Sequence, residues 1–106
     1  MISKELLNAV LDIDDIEAIC VLGDEVIFNG YLARDINIYE LAHKCKEWLH
    51  SKGYMFKIEY PTNRTPNKIS LMFYGEIKNP YHVADTEIEA IFKACEWIIK
   101  QETKNE

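Results

Sequence analysis

His43, Glu47 and His50 are the residues whose types and spacing best suit chemistry. At i, i+4 and i+7 they project from one side of a helix, and two imidazoles with a carboxylate form a ligand set that zinc accepts. The same three groups would serve a small metal-dependent or hydrolytic enzyme. The pattern is incomplete, however. The chain has no H-E-x-x-H of the zinc proteases, and the E-x-x-H from Glu47 to His50 lacks the second copy that a di-iron bundle needs. Exposed helix faces often carry such residues by chance, so the sequence predicts no bound metal, no cofactor and no enzyme activity.

Nucleophilic chemistry has less support. Cys45 and Cys95 fall on the apolar sides of helical patterns, where burial raises a thiol pKa and hides the sulfur, and Cys20 falls within a strand pattern. Three cysteines with no C-x-x-C pair read as reduced thiols. Four glycines supply no phosphate-cradling loop, and the carboxylates form no recognisable acid–base pair.

Charge bounds the choice of partners. Residues 1–40 hold nine acids against Lys4 and Arg34, whereas residues 41–80 hold seven bases against three acids, within a net charge of -6. Lys57, Tyr60, Arg64 and Lys68 form the one basic cluster, too sparse on an acidic chain for a nucleic-acid partner to be expected. The converse reading is an acidic mimic of DNA that blocks a host DNA-binding protein; it calls for denser acid than the first third provides.

Trp97 is the sharpest partner-binding candidate. At about 100° per residue it lies opposite Ile88 on the last helical pattern, away from the apolar stripe. Either it packs on the first helix or on the 78–84 connection, or it is exposed and anchors a partner or a second copy.

The elements that must position these groups follow from periodicity. Ser3 caps a short helix to Leu11, with Leu6, Leu7 and Val10 on its apolar side. Strands are expected over 17–22 and 25–32, joined by a turn at Gly23-Asp24, with Asn29-Gly30 a second turn candidate. Ile38, Leu41, Ala42, Cys45, Trp48 and Leu49 predict a helix over 36–51, entered through Asp35 as N-cap and closed at Gly53. Strands over 54–60 and 69–75 flank a hairpin loop at 61–68, and 78–84 reads as a connection. Thr86-Glu87-Ile88-Glu89 spells a capping box opening a helix to about Lys100. The two longer helices share Lys, Cys and Glu-Trp around Cys45 and Cys95, but Cys45 precedes Trp48 by three residues and Cys95 precedes Trp97 by two. The fold class is α+β: one mostly antiparallel four-stranded sheet covered by helices, in the order α-β-β-α-β-β-α.

Tyr31-Leu32-Ala33-Arg34-Asp35-Ile36 entering a helix, and Ala84-Asp85-Thr86-Glu87-Ile88-Glu89-Ala90-Ile91 opening a terminal helix with Ala94, resemble the phage ABA-sandwich domain. That family comprises small phage and prophage proteins in which helices cover a sheet. The resemblance spans about residues 31–99 and implies a mobile-element origin and a fold; it carries no catalytic residue.

Length and composition complete the reading. The chain has 106 residues, of which 48% are apolar and 28% charged. Those values suit a single folded domain covering 1–106. No apolar run approaches the roughly 20 residues that span a bilayer, and Met1-Ile2-Ser3-Lys4-Glu5 does not open like a signal peptide, so no membrane association and a cytoplasmic location are expected. Asn63-Arg64-Thr65 matches the N-glycosylation pattern, without consequence in that compartment. The expected role is that of a noncatalytic accessory protein, of phage or prophage type, acting by protein–protein contact with a second copy or with a host or phage protein.

Overall fold

The computed structural model describes residues 2–29, 34–63 and 66–104. Along the chain lie α1 (Lys4–Leu11), β1 (Ala18–Leu22), β2 (Glu25–Asn29), β3 (Arg34–Asn37), α2 (Ile38–Ser51), β4 (Phe56–Glu59), β5 (Ile69–Phe73), β6 (Tyr81–Ala84) and α3 (Glu87–Lys104). The class is α+β. In place of the expected single four-stranded sheet there are two three-stranded antiparallel sheets, β1-β2-β3 and β4-β5-β6.

The difference comes from two short strands hidden by their composition. Arg34-Asp35-Ile36-Asn37 reads as polar helix entry, yet Ile36 pairs with Val26 and Arg34 with Phe28 on the edge of the first sheet. Asp35 therefore sits in a strand opposite Ile27, and Asn37 replaces it as the N-cap of α2, its side chain accepting the Tyr39 N–H at 2.9 Å. In the second sheet, Tyr81-His82-Val83-Ala84 pairs with β5 instead of forming a plain connection. His82 occupies a core-facing position there that an apolar residue would normally advertise.

Local chemistry accounts for the element ends. Gly23 has a φ of 61°. That positive φ opens the two-residue turn between Leu22 and Glu25. At the end of α2, Gly53 N–H donates to His50 O and Tyr54 N–H to Leu49 O, both at 3.0 Å. This is the double closure of a Schellman motif, with its glycine at positive φ. Thr86 caps α3 by accepting the Glu89 N–H at 3.2 Å. The Asn29-Gly30 turn, Tyr31-Leu32-Ala33, Arg64 and most of the Asn63-Arg64-Thr65 pattern lie outside the described residues.

The core sits where α2 and α3 pack together, joined by Leu6 and Leu7 of α1, Val26 and Phe28 of β2, and Leu71 and Phe73 of β5. Each fully buried side chain of this kind contributes about 1.5–3 kcal/mol. The chain repeats a βββα plan: the same spacing separates Asn37 from Thr86, Lys44 from Lys93, Glu47 from Glu96 and Trp48 from Trp97. Under that spacing Leu41, Ala42, Cys45 and Leu49 correspond to Ala90, Ile91, Ala94 and Ile98, and all eight are buried. The molecule is a slab of 46 × 35 × 19 Å. Among the described residues no helix is long and apolar enough to cross a membrane.

Candidate functional site

The histidine trio does not converge. His43 Nε2 lies 3.3 Å from Glu47 Oε1 one helical turn away, with both side chains about two-thirds exposed, at 69% and 65%. His50 turns toward β4 instead, its ring meeting Phe56 edge-on at 4.8 Å. Lys46 shares the same shallow depression and brings a cation among the would-be ligands. Among the described residues, no three His, Cys, Asp or Glu side chains are grouped to hold a metal ion.

The thiols divide in two. Cys45 and Cys95 are fully buried at the α2–α3 contact, with Cys95 Sγ 3.8 Å from the Cys45 carbonyl oxygen. The contact with Cys45, reinforced by burial, holds the Cys95 thiol far above its ordinary pKa and keeps it inert. Cys20 is exposed on the outer side of β1.

The basic cluster is neutralised where it is described. Lys57 Nζ lies 3.1 Å from Glu59, and this hydrogen-bonded pairing raises the lysine pKa. Lys68 pairs with Asp85 and lowers the Asp85 pKa. Tyr60 Oη approaches Glu87 at 3.3 Å, where the neighbouring negative charge raises the phenol pKa. With its cations bound to carboxylates, this stretch offers phosphate groups little net attraction.

Trp97 is half-buried and packs against His82, ring centroids 5.5 Å apart. His82 in turn meets Phe73 at 5.6 Å, so the imidazole lies between two aromatic rings inside the second half of the fold. It is 5% exposed, and its Nε2 has no hydrogen-bond partner among the described residues. Burial, reinforced by the charge of Lys93 and opposed by a backbone hydrogen bond at Asn79, lowers its pKa. Trp97 thus contacts the 78–84 segment, while Trp48 is half-buried with Lys52 Nζ 5.3 Å over its ring.

Sequence reasoning missed the outer face of β4-β5-β6. Register places Phe56, Ile58, Leu71, Phe73 and His82 on the side of this sheet that meets the core, and Lys57, Met72, Tyr81 and Val83 on the other. Met55 and Tyr74 extend the outer side, paired through Tyr74 N–H and Met55 O at 2.9 Å. Met55 is 66% exposed, Tyr81 55% and Tyr74 49%, and Lys57 Nζ lies 6.0 Å over the Tyr74 ring. The signal was in the alternation over 69–75, where Met72 and Tyr74 stand at positions that a half-solvated antiparallel strand usually gives to polar residues. Comparison with protein-family models, with curated proteins and with solved structures gives no match to this chain.

Proposed function

We propose that this chain is a noncatalytic accessory protein, of phage or prophage type, that works by contact with another protein through the outer face of β4-β5-β6. The observation that carries the reading is the exposure of Met55, Tyr74, Tyr81 and Val83, with half-buried Met72 among them, on the sheet face that also carries Lys57, Glu59 and buried Ser70. Isolated exposed apolar residues are ordinary; several on adjacent strands of one face are typical of a contact surface. Tyrosines supply large contact area at low entropic cost, and methionines adapt to an irregular partner. The scattered histidines and buried thiols favour binding over catalysis. The phage-type origin rests on the sequence resemblance.

The test is a Tyr74→Ser/Tyr81→Ser double variant, compared with the parent chain by sedimentation velocity over a concentration series and by affinity purification from the producing cells. The expected result is a second copy or a stoichiometric partner that the variant loses while its circular dichroism is unchanged. Equal retention by both proteins would remove this face from the proposal.

A further inference from the structure

A second surface, independent of the open sheet face, lies where the two sheets approach each other. A cleft of about 590 Å³ is lined by Val21 of β1, Ala84 of β6, Ile2 and Ile38, with Glu89 and Lys93 of α3 on its far wall. That volume falls within the range of about 300–1,000 Å³ usual for ligand sites. Val21 is on the same side of its sheet as Val26, which is fully buried, yet Val21 is 44% exposed. The cleft is the reason: the core is incomplete above β1.

Both strands bordering the cleft are sheet edges. Phe73 N–H donates to Pro80 O at 2.9 Å, so by the antiparallel alternation His82 and Ala84 bond back to β5 while the backbone of Tyr81 and Val83 turns outward. In the first sheet Ile38 N–H donates to Asp24 O at 2.7 Å, which assigns the even residues of β2 to β3 and the odd ones to β1. Leu22 and Cys20 are then bonded to β2, and the backbone of Ile19 and Val21 turns outward. Lys93 Nζ reaches the outward Val83 carbonyl at 2.8 Å and occupies it. A lysine covering a strand edge is a common guard against unwanted pairing. Among the described residues no carboxylate lies within ion-pair distance of this ammonium.

We infer that the cleft between β1 and β6 receives an extended peptide segment of a partner protein, with small apolar side chains at alternate positions and a carboxylate that meets Lys93. The segment adds to an open strand edge by backbone hydrogen bonds, its apolar side chains filling the space over Val21 and Ile38. A peptide N–H takes the Val83 carbonyl from Lys93, and the released ammonium pairs with the incoming carboxylate. The release of Lys93, and not the net charge of the lining, sets the acidic preference: Lys68 and Asp85, also in the lining, neutralise each other, and Glu89 has no ion-pair contact with Lys93 before the exchange.

The test uses the full chain as bait for a displayed library of random heptapeptides, followed by fluorescence anisotropy with the synthesised winners. Expected winners alternate apolar residues and carry one Asp or Glu. Val21→Trp, which fills the cleft at an exposed position, should weaken them by about tenfold or more, as should N-methylation of alternate peptide amides. Lys93→Met should erase the preference for an acidic peptide over its amide counterpart, while Tyr74→Ser/Tyr81→Ser leaves affinity unchanged. No enrichment over the bare surface, or winners indifferent to Val21→Trp, would overturn the inference. Winners lost only in the tyrosine variant would also overturn it, and would leave the open sheet face as the contact surface.

Discussion

Glu96 Oε1 accepts hydrogen bonds from both the backbone N–H and the hydroxyl of Ser3, at 3.1 and 2.7 Å, across 93 residues of sequence. Ser3 Oγ in turn accepts the Leu6 N–H at 3.1 Å. This is the logic of a capping box with its carboxylate supplied by a different helix, because the third helical position of α1 is occupied by apolar Leu6. It fastens the amino-terminal helix to α3. Glu96→Ala should cost about 1–2 kcal/mol in urea unfolding, the usual range for a lost cap with a charge-assisted partner. Ser3→Ala should show strong non-additivity with it in a double-mutant cycle. Additive effects would mean that the two side chains stabilise the fold separately.

A second pair of substitutions separates what the sequence suggested from what the fold does. Asn37→Ala removes the side chain that accepts the Tyr39 N–H. It should cost about 1 kcal/mol, the usual effect of losing an N-cap. Asp35 is exposed on an edge strand. Asp35→Ala should therefore change stability by no more than about 0.5 kcal/mol, as surface substitutions usually do. Chemical denaturation of both variants decides it. The reverse order would restore Asp35 as the cap.

That contrast shows where legibility ended. The three helices were readable because the apolar residues of α2 and α3 recur at helical spacing over several turns, β1 and β2 because β-branched and apolar residues flank the Gly23-Asp24 turn, and β4 and β5 because they alternate on either side of a Pro- and Asn-rich loop. β3 and β6 have four residues each, too few for periodicity to outweigh composition, and a core histidine in β6 breaks the apolar pattern. The histidine trio does not converge for a similar reason: spacing fixes which helix face a residue leaves from, and Phe56, outside the helix, meets the His50 ring.

Metal analysis follows from that geometry. Protein incubated with zinc and passed through gel filtration should retain well below one equivalent, since His43 and Glu47 are exposed and the third donor is engaged elsewhere. Stoichiometric zinc, lost in His43→Ala/His50→Ala, would revive the metalloenzyme reading.

Thiol labelling probes the α2–α3 contact. Of the three cysteines, exposed Cys20 should react with an aromatic disulfide reagent at once in the native protein, while Cys45 and Cys95 react only on unfolding. The slow phase then reports opening of the core, and its rate should rise with urea. Rapid labelling of all three would show that the helix contact opens easily.

His82 gives the fold a pH dependence whose sign can be worked out. Its folded pKa lies below the ordinary 6.5 because the charged imidazole would sit buried between Phe73 and Trp97 near Lys93. As pH falls through about 6.5 the unfolded chain takes up a proton that the folded chain resists, so the unfolded state binds more protons and stability declines. The contribution is complete above that pH and is lost progressively below it. Urea midpoints measured between pH 7.5 and 5 should fall for the parent chain and fall less for His82→Leu, which keeps the apolar contacts without the ionisable ring. In the Trp48→Phe background the remaining Trp97 should keep its emission as pH first drops below 6.5 and dim only at the lower pH where the folded imidazole takes its proton, the imidazolium at 5.5 Å then quenching the indole. A midpoint with the same pH slope in His82→Leu would assign the dependence to the surface carboxylates instead.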